Sequence, residues 1–117
     1  MNHAAADYLH SPREVQFLEQ VRTAGLPEPE HQRVICDRHV DFAWPDRRVC
    51  VEIQGGSWTR GAHTRGAGYA KDRMLNNKRQ LAGWIVLEFT SDHLDADEAV
   101  PVVARALEKR EAQWTQS

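Results

Sequence analysis

Val40-Asp41-Phe42-Ala43-Trp44-Pro45-Asp46-Arg47-Arg48-Val49-Cys50-Val51-Glu52-Ile53-Gln54-Gly55-Gly56 is the stretch that decides the fold. Side chains alternate between the two faces of a strand. From His39 to Trp44, alternation therefore sets Val40, Phe42 and Trp44 on one face and Asp41 and Ala43 on the other. Pro45-Asp46-Arg47 reads as a tight turn. From Arg48 to Gln54, Val49, Val51 and Ile53 face one side, and Cys50, Glu52 and Gln54 the other. Counting outward from the turn, Asp41 and Glu52 fall within a residue or two of direct opposition, both off the apolar face. Two carboxylates that close repel each other unless something compensates. A divalent cation does this well, because Mg²⁺ favours one or two carboxylates with water and phosphate oxygens. Such a metal can generate hydroxide and stabilise charge on a phosphodiester. The plainer alternative is a pair of solvent-facing strand residues.

Upstream, residues 1–10 read as a loose arm. Ser11-Pro12-Arg13-Glu14 is a capping box with proline at the first helical position. The helix that follows carries Val15, Phe17, Leu18 and Val21 at helical spacing and stops at Gly25. His31 to Cys36 reads as a first strand. Downstream, Gly55 to Gly68 is a long loop with five glycines, and loops of that length in compact domains are usually functional or disordered. A helix is expected from about Tyr69 to Leu81, with Gly83 as its stop. Trp84 to Phe89 is apolar apart from Glu88 and reads as a central strand. Ser91 or Asp92 caps a short turn. A closing helix to about Lys109 turns Val100, Val103, Ala104 and Leu107 inward, with Pro101 in its first turn, where a missing N–H costs least. The fold class is α/β in the α+β sense: a mixed sheet in the order α-β-β-β-α-β with a C-terminal helix, one domain over 11–117.

The totals agree with that reading. The chain has 117 residues, 41% hydrophobic and 27% charged, ordinary for one globular domain. No apolar run approaches the length that spans a bilayer. The N-terminus lacks a basic region followed by an apolar stretch, so a secretory signal is not expected and cytoplasmic residence is the default. Cys36 and Cys50 make no disulfide scaffold and are expected as reduced, partly buried strand residues. The formal net charge is −2, but it is unevenly spread. Between Ser57 and Arg79 stand Arg60, Arg65, Lys71, Arg73, Lys78 and Arg79 against one acid, Asp72. That basic stretch could meet phosphate, or simply be a solvated loop and helix face.

Four segments together carry a family resemblance: Val40 to Pro45, Val49 to Trp58, Asp72-Arg73, and Leu81 to Phe89. In order and spacing they look like a Vsr-like endonuclease of the PD-(D/E)XK superfamily, with a restriction-endonuclease-like core. His63 to Tyr69 is similar to a narrower group of phage and prophage proteins described as Holliday-junction resolvases. The likeness runs from about Ser11 to Thr90. It implies that Asp41 is the aspartate of the first motif and Glu52 the acid of the second, both holding Mg²⁺, with Mn²⁺ as a substitute. It also implies attack by water on phosphorus, leaving 5′-phosphate and 3′-hydroxyl ends.

Gln54 departs from the pattern, since that position usually holds a lysine that stabilises developing negative charge. Glutamine can orient water or offer an amide oxygen but brings no charge. Lys71, Arg73, Lys78 or His63 could supply what is missing. His63 resembles the loop histidine of Vsr-type enzymes and reads either as a general acid or base or as an exposed phosphate contact. Glu14 reads as an acid of the site or as part of the capping box alone. Gly55 and Gly56 allow a phosphodiester to approach or form a simple turn. Trp58 could stack on nucleic acid beside Arg60 or cover the sheet edge. Asp72 and Arg73 either support the site or form a helix-surface pair. His31, His39 and His93 read as surface residues. Arg60, Arg65, Lys71, Arg73, Lys78 and Trp58 are the expected DNA contacts.

The leading expectation is a Mg²⁺-dependent endonuclease acting on branched DNA in recombination or repair, as a homodimer. Mismatch or strand nicking is the Vsr-like alternative. An inactive DNA-binding module, motivated by Gln54, and a protein-interaction module on the inherited fold are the others.

Overall fold

The computed structural model describes residues 11–54 and 67–115. Helix α1 spans Pro12–Thr23. Ser11 Oγ accepts from the Glu14 amide at 3.2 Å with Pro12 at the first helical position. Gly25, at φ +77°, closes the helix, and the Leu26 amide donates back to the Val21 carbonyl at 3.2 Å.

Three strands follow: β1 (Glu30–Ile35), β2 (Arg38–Trp44) and β3 (Val49–Gln54). β1 and β2 pair antiparallel up to Ile35↔Arg38. The two residues between, Cys36 and Asp37, have φ of 58° and 75°, as a type I′ hairpin turn requires. Cys36 is therefore an exposed turn residue, not a strand residue, whereas Cys50 is buried in β3. β2 and β3 pair antiparallel around the turn after Trp44, with Arg47 N–H on the Trp44 carbonyl at 2.9 Å. Helix α2 (Ala67–Leu81) then returns the chain, and β4 (Ile85–Thr90) pairs parallel with β3. Such a parallel pair needs a crossover of this kind. Short helix α3 (Ser91–Asp95) and long helix α4 (Ala99–Thr115) complete the fold. No described helix is long and apolar enough to cross a membrane.

The sheet order is β1-β2-β3-β4. β4 is thus an edge strand, not the central one its apolar run suggested. Helices supply the cover instead: Ile85 and Leu87 pack with the main core, and Val86 with a smaller cluster on the opposite face. The main core joins Phe17, Leu18 and Val21 of α1 to Phe42, Trp44, Val49, Val51 and Phe89, and to Leu94, Ala99, Val103, Ala106 and Leu107. Phe17 anchors it, 5.0 Å from Phe42 and 6.4 Å from Phe89 between ring centroids. On α4 the buried stripe is Ala99, Val103, Ala106 and Leu107, with Val100 packed beside it; Ala104 is only half-buried.

Val40 does not follow Phe42 and Trp44. It sits in the smaller cluster with Ile35, Ala43 and Cys50. The β1–β2 pairing is irregular at this level: between the pairs His31↔Phe42 and Arg33↔Val40, Gln32 has φ 59°. His93 also differs from expectation. Thr90, rather than Ser91 or Asp92, caps α3. His93 closes the capping box, its Nδ1 accepting from the Thr90 amide at 3.0 Å, and its ring meets Phe89 edge-on.

Candidate active site

The site forms where β2 and β3 part company. Their ladder runs Trp44↔Val49, Ala43↔Cys50, Phe42↔Val51, and Asp41 and Glu52 are the residues next beyond its last pair. There a side chain replaces the backbone: Asp41 Oδ2 accepts the Ile53 N–H at 2.7 Å. The Asp41 carboxylate is thus held beside the residue that follows Glu52. Charge on the acceptor makes such a bond stronger than an ordinary amide pair.

On the other side, Glu52 is in register with Glu88 of β4, and parallel partners project from the same face of the sheet. Two neighbouring carboxylates there call for positive charge, and α2 delivers it. The residues α2 turns toward the sheet are Asp72, Leu75, Asn76 and Arg79, the spacing of one helical face, with Asn76 and Arg79 buried. Arg79 is 0% exposed. Its Nη1 donates to Glu52 Oε2 at 2.8 Å and to Asn76 Oδ1 at 3.2 Å. Its Nε and Nη2 donate to the Ile35 and Arg38 carbonyls at 3.0 and 3.1 Å. These two carbonyls flank the β1–β2 turn. Asn76 passes the network on, its Nδ2 donating to Glu88 Oε2, which also accepts from Arg73 at 3.2 Å. The sequence Glu52, Arg79, Asn76, Glu88, Arg73 alternates acceptor and donor, so each charge has an opposite or a dipole beside it, as burial demands. Beside Glu88, Arg73, Asn76, Asn77, Gln80 and Val86 line a hollow of about 320 Å³.

The expected residues are thus placed as follows. Asp41 and Glu52 come to neighbouring positions at one end of the β2–β3 pair. Gln54, half-buried, is the last residue of β3, level with Thr90. Glu14 is 7% exposed and lies on the buried stripe of α1 with Phe17, Leu18 and Val21. That stripe packs on the sheet face opposite the one Arg79 covers. Asp72 pairs with Arg38 of β2 at 2.8 Å and Arg73 with Glu88 of β4, so these two neighbours on α2 reach different strands. Lys71 and Lys78 are exposed and make no ion pair with any described residue. Trp58, Arg60, His63 and Arg65, with Gly55 and Gly56, lie outside the described residues.

Arg79, Asn76 and Glu88 are the members that sequence reasoning missed. A signal was present, because Asp72, Asn76 and Arg79 share one face of α2. Among the described residues no group of three or more His, Cys, Asp and Glu is placed to hold a metal ion. Glu52 Oε1 takes no hydrogen bond from a described residue, while Oε2 belongs to Arg79. Burial pushes the Cys50 thiol, behind this network, up to about 12.

Among the described residues, a four-stranded mixed sheet covered on both faces by helices defines a class of fold that known structures share. The catalytic domain of the homing endonuclease I-Bth0305I is similar to this chain, with a TM-score of 0.68 over 86% of the chain and 98% of that domain, at 17% sequence identity. The likeness is one of fold. No protein-family model and no curated protein matches the sequence.

Proposed function

We propose that the chain is a metal-dependent DNA endonuclease with Asp41 and Glu52 at its reaction centre. The observation that carries this reading is the placement of the two carboxylates. Asp41 is tied to the Ile53 amide, and Glu52 is the residue just before Ile53, on a fold similar to a homing endonuclease catalytic domain. The donor set fits Mg²⁺ or Mn²⁺: two hard carboxylate ligands, one of them with an oxygen that takes no hydrogen bond from a described residue, which is what Mg²⁺ takes from proteins alongside water and phosphate. When bound, such a metal lowers the pKa of water and offsets charge on the phosphodiester. The protein's own part is to fix both carboxylates, with Arg79 and the Ile53 amide as their anchors. Exposed Lys71, Arg73 and Lys78 on α2 would meet the DNA backbone.

Branched DNA is the proposed substrate, with mismatch or strand nicking as the Vsr-like variant of the same chemistry. A homodimer would place two such centres for paired cuts, in the cytoplasm of a bacterial cell. Pure protein incubated with four-way junctions, T:G mismatches and plain duplex in Mg²⁺ or Mn²⁺ tests this directly. Cleavage is expected on the first, and Asp41→Asn and Glu52→Gln should each lower it at least about a hundredfold. Uncut DNA in every metal, or variants as active as the parent, would sink the proposal. Sedimentation at the assay concentration checks the dimer.

One observation favours a second reading. Glu52 is already paired with a buried cation, and Gln54 adds none. A DNA-binding module without cleavage would then hold junctions tightly in all metals and cut none.

A further inference from the structure

Resting on the reading of Asp41 and Glu52 as the metal-holding pair, we infer that Arg79 is a positioning residue that decides how Glu52 can bind a cation. Arg79 is almost completely committed. A guanidinium offers five N–H donors in a rigid fork, and four bonds from Arg79 are satisfied by Glu52, Asn76 and the carbonyls of Ile35 and Arg38. With 0% exposure it has no freedom to swing away. Its anchors come from both ends of the β1–β2 turn and from one helical turn earlier on α2, so its position is set by three elements rather than by Glu52.

The consequence falls on Glu52. Oε2 is held at 2.8 Å by a fixed positive charge, while Oε1 takes no hydrogen bond from a described residue. The carboxylate is thereby limited to a single open oxygen and part of its charge is cancelled. Arg79 therefore weakens the grip of Glu52 on a cation while fixing its direction. Lysine could not substitute fully, since it has the charge without the planar fork. Asp41 is held separately, through the Ile53 amide, so the two carboxylates are oriented by independent anchors.

This gives a signature that a purely architectural arginine would not produce. Titrating Mn²⁺ into the free protein, read by the loss of its electron paramagnetic resonance signal, is the experiment. Arg79→Met and Arg79→Gln should bind Mn²⁺ more tightly than the parent, by about tenfold, because a neighbouring positive charge is removed and both Glu52 oxygens are released. Arg79→Lys should stay within about threefold of the parent, since the charge remains. Cleavage in Arg79→Gln should fall through kcat, with KM for DNA unchanged, because the ligand is bound but misdirected.

Folding of each variant is checked by circular dichroism. If neither neutral variant folds, the parent decides: substoichiometric Mn²⁺ should broaden the Arg79 Nε–H signal ahead of those of other arginine side chains. Folded neutral variants that bind Mn²⁺ no more tightly, or an Arg79 signal untouched by Mn²⁺, overturn the inference while leaving the metal pair standing. A parent that binds no Mn²⁺, or binding indifferent to Glu52→Gln, removes the metal pair and the inference with it.

Discussion

Arg79 and Glu52 are joined at 2.8 Å across the face of the sheet, the guanidinium wholly buried and the carboxylate about a quarter exposed. The pair links α2 to β3, and through the Ile35 and Arg38 carbonyls it also links the β1–β2 turn to both. One side chain thus fastens three elements around the candidate site. A buried ion pair is not stabilising merely because it exists, since desolvation offsets the attraction. Removing one member is different, because it strands the other.

Arg79→Ala should therefore cost about 3–5 kcal/mol of folding free energy. Three backbone and amide acceptors and one carboxylate lose their donor together. The exposed pair Arg33–Glu30, at 2.9 Å, is the control; its removal should cost under about 1 kcal/mol. Urea unfolding followed by circular dichroism measures both. Equal losses in the two variants would mean that the buried network contributes no more than a surface contact.

The β1–β2 turn offers a gain. Cys36 and Asp37 both hold positive φ without being glycine, and that conformation costs an ordinary residue about 1–2 kcal/mol. The type I′ geometry prefers Asn-Gly. The double change Cys36→Asn, Asp37→Gly should raise stability by roughly 1 kcal/mol, after allowing for the added freedom of glycine in the unfolded chain. Because Arg79 grips the carbonyls on either side of this turn, the change should leave cleavage as it was. A lower melting temperature would show that the turn relies on contacts of the Asp37 side chain.

Much of this arrangement is legible in the sequence, and the exceptions have physical causes. The β2–β3 register, out to Phe42↔Val51, follows from counting out of the Pro45 turn, because a two-strand register is local. The edge position of β4 is not local. A strand apolar on both faces needs cover on both, and helices supply that as well as strands do, so Trp84 to Phe89 alone cannot choose. Val40 departs from the face of Phe42 and Trp44 because alternation assumes a regular ladder, and the β1–β2 pairing is irregular at Gln32. Arg79 escaped for a different reason. The apolar residues of α2, Tyr69, Met74, Leu75 and Leu81, do not form one stripe, and three of them are exposed, Leu81 at 88%. The inward face is polar. A helix read for its apolar side therefore hides its buried side, and Glu88, which seemed to interrupt a strand, is the acid that this polar face meets.

Lys71 and Lys78 allow the DNA-facing part of the proposal to be separated from the chemistry. Both are exposed on α2 and unpaired among the described residues, so neither holds the fold. Each Lys→Gln change should weaken binding to junction and duplex DNA alike and reduce the slope of log K against log salt by about 1. Arg73→Gln should do this and also release Glu88. Filter binding over a range of salt concentrations reads the slope. Affinity that ignores Lys71 and Lys78 at low salt would move the nucleic-acid face away from α2.

The two cysteines should behave as opposites. Burial raises the Cys50 thiol from 9.0 to about 12, only partly countered by the nearby Arg79 charge. The thiolate is the reactive form, so native Cys50 should resist an aromatic disulfide reagent at pH 8, while exposed Cys36 reacts at once. One thiol should titrate in native protein and two in denaturant. The folded pKa lies above the unfolded one, so the folded state holds its proton more tightly. The stability tied to Cys50 is complete below pH 9 and is lost as pH rises from 9 toward 12, at about 1.4 kcal/mol per unit. Cys50→Ala should remove that alkaline slope while opening a small cavity behind Glu52. Urea midpoints at pH 8 and pH 10 for the parent and this variant give the comparison; a parent whose midpoint falls no more than that of Cys50→Ala would show that the thiol is not held protonated by its surroundings.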